Sequence, residues 1–249
     1  VDHVHADAII AIAASKNSQD LTQEIFGDRI GWLPWKRPGY ELGLWLENFC
    51  LENPNARGVV LESHGLFTWD DDAKTCYSLT LEIIQKAMDW FESKADSQPA
   101  FGGAVHESLP PMKRRAVAAE IMPAIRGLIC ESQHMVGHFN DSPEVLEFVN
   151  AQQLQELAAL GTSCPDHFLR TKICPLVVDF NPNAQDVQLV INRLPQEIDD
   201  YRNAYRAYYA RCKHADSPAL RDPNPIVYLL PGVGMITFAK DKADRKSVV

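Results

Sequence analysis

Short extended runs and helix-period runs take turns along this whole chain, and that alternation restricts the fold more than any other feature. RIGWLPW, GVVLE, LFTW, HMVGHFN, KICPLVVDF, IVYLLP and GMITFAK are apolar and strand-length. Between them lie stretches whose apolar residues recur every three or four positions, the spacing of one helix face. Strands alternating with helices predict α/β layers, with helices covering the faces of each sheet. The clearest helix follows Asp70-Asp71-Asp72, which supplies a cap and an acidic approach. Its residues Tyr77, Leu81, Ile84, Met88 and Phe91 form a stripe expected to face the core. A second long helix is expected from Asn183, with Val187, Ile191, Leu194, Ile198, Tyr201, Tyr205, Tyr208 and Cys212 on one face and Pro195 as a kink. A short helix over DAIIAIAAS would use Asp7 as its cap, and one over QDLTQEIFG would stop at Gly27.

The run SKADSQPAFGGAVHESLPP, rich in small residues, Gly and Pro, interrupts the pattern. It predicts a first α/β domain over 1–95, a linker over 96–110 and a second α/β domain over 111–249. No internal repeat is visible in the sequence. The chain opens inside a strand-like run and closes on KDKADRKSVV, which resembles a helix just starting. It is therefore expected to be a fragment, cut at both ends.

Lys and Arg number 24 against 33 Asp and Glu, a net charge of −9. That balance argues against sequence-independent nucleic-acid binding, which needs basic patches. Apolar runs such as AIIAIAA are far too short for a membrane span, and no secretory pattern leads the chain. The six cysteines are scattered through expected helices and strands, so reduced thiols and a cytoplasmic location are expected.

Chemistry gathers around three histidines. His3 and His5 flank Val4 in an extended run, where residues i and i+2 share a face, so both imidazoles aim at one spot. His64 stands in the turn Ser63-His64-Gly65, just past the buried strand GVVLE. Three neutral nitrogen donors with one position left open are the pattern of a catalytic zinc, whereas structural zinc is closed by four ligands, usually including Cys. The same His-x-His is also how two surface histidines look, and the pair alone does not decide.

Other constellations are weaker. Cys164, His167 and Cys174, with Cys212 and His214, lack a regular zinc spacing. Tyr205, Tyr208 and Tyr209 suit packing better than base stacking. Gly232-Val233-Gly234 lacks the third glycine of a dinucleotide fingerprint and predicts a turn between strands.

HVHADAIIAIAAS, followed at this distance by GVVLESHGLFTWDDDAKTCYSLTLEIIQKA, resembles the class II aldolase/adducin family over residues 1 to about 95. The resemblance implies a three-layer α/β domain, here incomplete at its N-terminus, and a zinc ion on His3, His5 and His64. WLPWKRPGYELG, GTSCPDHFLRTKICPLVVDF and YLLPGVGMITFAKDKAD extend it, being similar to the family of fusions that join a rhamnulose-1-phosphate aldolase to a short-chain dehydrogenase. That likeness implies a lyase acting on a sugar phosphate, a homo-oligomer, and NAD only in a dehydrogenase part missing here. It places the catalytic acid and the phosphate loops upstream of His3, so the chain alone is expected to bind zinc weakly and cleave nothing. A non-catalytic adducin-like binding module and a metal-dependent hydrolase of the barrel type are the alternatives.

Overall fold

The computed structural model describes residues 1–95, 98–130, 133–184 and 186–241, except for the side chain of Asp166. It divides into two compact units, Val1–Ser97 with Ser163–Asp166, and Gln98–Thr162 with His167–Val249.

In the first unit, β1 (Asp2–Val4), β2 (Ile30–Leu33), β3 (Gly58–Leu61) and β4 (Gly65–Thr68) form one sheet in the order β1-β4-β3-β2. β1 and β3 run antiparallel to β4, while β2 runs parallel to β3. Alternation along the strands decides which helices cover each face. Val60 and Leu66 point to one layer, where they bury against α1 (Asp7–Ala13), α2 (Ser18–Phe26) and α4 (Ala73–Lys94). Val59, Leu61 and Phe67 point to the other and pack on α3 (Tyr40–Glu52). The result is the three-layer α/β arrangement expected.

The second unit repeats the plan. Its sheet is β5 (Val136–Asn140), β8 (Gly234–Ala239), β7 (Val227–Leu230) and β6 (Leu176–Val177), in that order. α5 (Pro111–Ile129) and α9 (Val187–Cys212) cover the face of Tyr228, Leu230, Ile236 and Phe238. α6 (Pro143–Val149) and α7 (Leu154–Leu160) cover the face of Val227 and Leu229. A further helix, α8, runs Pro165–Thr171. Gly232-Val233 lies in the turn joining β7 to β8, as expected.

Three expectations need correction. The buried face of α4 is Cys76, Leu79, Thr80, Ile83 and Ala87; of the expected stripe, Ile84 and Phe91 pack half-buried against that core, while Tyr77, Leu81 and Met88 are exposed. Both rows share the helical period and differ by about one residue, roughly 100° around the axis. The row that faces the core sets only Leu79 and Ile83 beside the small Cys76, Thr80 and Ala87, so the row of bulkier residues stands out more in the sequence. Asp7 is the first residue of α1 and not its cap, since Ala6 occupies the cap without a side-chain bond. The Pro- and Gly-rich run is no free linker from Gln98 onward. Ala104 bridges Ala151, Leu109 is buried in the second core, and the Leu109 N–H donates to the Gly232 carbonyl at 2.8 Å. Small residues and prolines let that backbone lie close against the unit. Residues 96 and 97 of the expected linker, and the terminal 242–249, lie outside the described residues.

In α9, Leu194, Ile198 and Tyr201 are buried as expected, and the helix continues through Pro195. Its later turns leave the core, and Cys212 is exposed. Tyr208 packs edge-on against Phe168, and the Tyr209 hydroxyl donates to the Pro218 carbonyl at 2.6 Å, both structural roles. All six cysteines are free thiols. No described helix is long and apolar enough to cross a membrane.

Candidate metal centre

Strand pairing assembles the site. β1 lies against β4 with His3 opposite Phe67 and Val4 opposite Leu66. Val4 turns toward the α1/α2/α4 layer, which leaves His3 on the other face. There its ring stacks on Phe67, with centroids 3.9 Å apart and planes 12° from parallel. His5 follows β1 directly and comes back to the same side, its ring 4.5 Å from that of His3.

His64 arrives from the turn that joins β3 to β4. The turn is tight: the His64 N–H donates to the Leu61 carbonyl at 3.1 Å, and Ser63 takes a positive φ of 51°. The Ser63 N–H donates to the carbonyl of Ala13, at the end of α1, at 2.8 Å. The turn is thus fastened both to its own strand and to the helix after the histidine pair. His64 is 4% exposed, and its ring lies 5.0 Å from that of His3 and 5.4 Å from that of His5.

Each imidazole offers one nitrogen, and the three nitrogens lie within 4.8 Å of one another. The sequence-predicted His3, His5 and His64 are therefore brought together. Among the described residues this is the one such group of metal-ligating side chains; Cys164, His167 and Cys174 form none. Nδ1 of His3 stands 3.0 Å from the Leu66 carbonyl. A carbonyl oxygen only accepts, so that nitrogen carries the proton, and Nε2 keeps its lone pair for a cation. A backbone carbonyl that orients a ring and fixes its tautomer is the usual support behind a metal-bound histidine. His5 Nε2 and His64 Nδ1 are shielded from solvent, which lowers the local dielectric and strengthens any charge held there.

Donor chemistry fits a borderline-soft divalent ion. Three neutral imidazoles suit zinc, and a tetrahedral zinc with bonds of about 2.0–2.1 Å needs donors roughly 3.3 Å apart. Side-chain rotation of the order of an ångström closes the three nitrogens to that spacing.

Some supporting residues were not legible as such in the sequence. In the sequence Gly65 reads only as a turn residue, yet a β-carbon there would stand 2.7 Å from the Val4 carbonyl oxygen and 2.8 Å from His5 Cδ2. Asp2 accepts a hydrogen bond from the Thr80 hydroxyl at 3.1 Å, and Thr80 in turn meets the Thr68 hydroxyl at 2.6 Å. That relay pins the start of β1 to α4. The Asp2 carboxylate is occupied there, and that of Glu62 receives the Trp35 N–H at 2.9 Å.

This chain belongs to the class II aldolase family. The pattern described as "Class II Aldolase and Adducin N-terminal domain" matches residues 1–90, and "Aldolase class II, second domain" matches residues 116–247, more than half of the chain. Among curated proteins, the chain is similar to "Uncharacterized oxidoreductase YuxG" of Bacillus subtilis (strain 168), with 37% identity over 246 residues. That match takes in 99% of this chain but only 36% of the relative, so the chain spans about a third of that protein. A solved structure of the N-terminal class II aldolase domain of a conserved protein from Thermoplasma acidophilum shares 31% identity, covering 36% of this chain and 40% of the other with a TM-score of 0.33.

Proposed function

We propose that this chain is the metal-binding part of a zinc-dependent class II aldolase. The substrate is a ketose 1-phosphate, read as rhamnulose 1-phosphate, and the products are dihydroxyacetone phosphate and lactaldehyde. The observation that carries this reading is the convergence of His3, His5 and His64 within 4.8 Å, with the His3 tautomer fixed by Leu66.

In a retro-aldol cleavage the carbon–carbon bond beside the carbinol breaks and its electron pair moves toward the ketone side. The carbinol hydroxyl loses its proton as that carbon becomes an aldehyde, and the ketone-side carbon takes up a proton. Zinc on this triad supplies Lewis acidity toward the sugar oxygens on which charge grows. The protein's own part is to hold three neutral donors so that the cation keeps its full charge and an open side. Phe67 covers one face of His3, the Leu66 carbonyl holds its proton, and the β3–β4 turn holds His64. The general acid and base are assigned to no residue of this chain, since no carboxylate joins the three rings among the described residues.

The reading extends to a longer cytoplasmic, homo-oligomeric protein in which a short-chain dehydrogenase oxidises the aldehyde with NAD. The oxidoreductase name of the much longer Bacillus relative supports that extension. Metal analysis and an aldol-cleavage assay with rhamnulose 1-phosphate, on the full-length protein and its His64→Ala variant, test it. Stoichiometric zinc and turnover, both lost in the variant with its fold intact, are expected. A full-length protein that retains no divalent metal removes the aldolase reading and favours a binding module.

A further inference from the structure

The two units share far more than a strand order. In both, the first strand runs antiparallel to the fourth, the second parallel to the third, and the third antiparallel to the fourth. Leu61 pairs with Gly65 across the β3–β4 turn, and Leu230 pairs with Gly234 across the β7–β8 turn. Three residues separate the strands in each case, so one offset of 169 (234 − 65) relates the two hairpins.

That offset also reproduces the details. His64 N–H to Leu61 carbonyl and Val233 N–H to Leu230 carbonyl both measure 3.1 Å. Ser63 and Gly232 are both turn residues with positive φ, 51° and 75°. Each ties its N–H to the end of the helix after the first strand. Ser63 donates to the Ala13 carbonyl at 2.8 Å, and Gly232 to Asn150 Oδ1 at 2.7 Å. The first strands are related by an offset of 136 (140 − 4), because Val4 faces Leu66 where Asn140 faces Met235. The helices that follow, Asp7–Ala13 and Pro143–Val149, obey the same offset.

Carried through this register, His3, His5 and His64 fall on Phe139, Asp141 and Val233. No metal-ligating set survives there, and a cation of the chain's own stands beside it. Arg114, its side chain 12% exposed, donates from Nε to Asp141 Oδ2 at 3.0 Å and from Nη1 to the Leu109 carbonyl at 2.7 Å. Leu109 is itself bonded through its N–H to the Gly232 carbonyl. The guanidinium therefore joins the end of the first strand to the hairpin turn.

We infer that the second unit is a metal-free copy of the first, in which Arg114 ties together the two backbone points that a metal on His5 and His64 would join. The inference rests on reading the triad as a metal site. Fixed positive charge replaces exchangeable positive charge, and the copy keeps the scaffold without the open coordination position that chemistry needs.

Hydrogen exchange on the zinc-loaded full-length protein reads the two ties separately. Stripping divalent metal with EDTA is expected to raise exchange in residues 61–65 by at least about tenfold and to leave 230–234 unchanged. R114M is expected to do the reverse. Exchange at 230–234 that responds to EDTA, or that ignores R114M, overturns the inference. Should R114M not fold, D141A removes the acceptor at the other end of the same tie and is read in the same way. If 61–65 ignores EDTA while R114M still loosens 230–234, the metal reading of the triad fails and the structural role of Arg114 stands. The register has its own check: R114M/F139H/D141H/V233H, placed in an H3A/H5A/H64A chain, is expected to bind about one equivalent of Co2+ with visible absorption bands that the ungrafted triple variant lacks. A folded graft that binds none also overturns the inference, and where the graft does not fold the exchange result decides.

Discussion

The absent side chain of Gly65 leaves room for the ring of His5, because a β-carbon at position 65 would lie 2.8 Å from His5 Cδ2. The obstacle on its other side is the Val4 carbonyl oxygen at 2.7 Å, which is backbone and cannot rotate away. Gly65→Ala is thus expected to push β1 and His5 away from His64 while leaving all three ligands in the sequence. Zinc affinity should fall by about 10- to 100-fold, the size usual for disturbed ligand orientation. A competition titration against a zinc indicator measures it, and unchanged affinity would show that the triad does not need this close approach.

The relay from Thr68 through Thr80 to Asp2 predicts a second effect. A hydroxyl donates once, so Thr80 shares its proton between the Asp2 carboxylate at 3.1 Å and the Cys76 carbonyl at 3.0 Å, while Thr68 donates to Thr80. Thr80→Val keeps the shape of the side chain but takes from the Thr68 hydroxyl, buried at 0% exposure, its 2.6 Å partner and leaves it only the weaker Cys76 thiol at 3.9 Å. A cost of about 1–3 kcal/mol is expected in urea unfolding. Because the same change releases Asp2, zinc affinity should weaken as well, although residue 80 is not a ligand.

Helix α4 begins on a cap with a pH signature. The Thr75 N–H and hydroxyl both donate to the Asp72 carboxylate at 2.8 Å, and those bonds hold its pKa below the ordinary aspartate value. A folded-state pKa below the unfolded one means stability that is present above the ordinary aspartate pKa. It is lost as pH falls through the lower folded value. Asp72→Ala should therefore lower the melting temperature at neutral pH, with the gap from the wild type closing on acidification through that range. Asp72→Asn keeps an acceptor and should recover much of the loss with little dependence on pH.

The two rows of α4 give a direct contrast. Ile83 is 1% exposed and Leu81 is 48% exposed. Ile83→Ala should cost about 2–5 kcal/mol through lost burial and a cavity. Leu81→Ala should stay within about 0.5 kcal/mol on the same chain. Equal losses at the two positions would mean that the row with Leu81 is covered in solution.

Local chemistry wrote the elements into the sequence. Extended apolar runs, helix-period runs, Gly27 after α2, Asp72 before α4 and the Gly232-Val233-Gly234 turn all depend on neighbours a few residues away, so they were legible without a fold. The pairing of His3 with His5 was legible for the same reason, being a property of one strand.

Long-range contact decided the rest. Whether Tyr77 or Cys76 leads the buried face of α4 depends on a sheet and two helices from elsewhere in the chain, and both rows have the same period. His64 joins the pair because β1 and β3 both pair with β4, and Gly65 matters because that pairing brings it against His5. The copy of the first unit inside the second keeps its strand directions, turn bonds and faces, and keeps Leu61, Gly65 and Thr68 as Leu230, Gly234 and Thr237, while replacing all three histidines and most other side chains. Backbone hydrogen bonding tolerates such replacement, so the tertiary structure retains a repeat that residue identities no longer show.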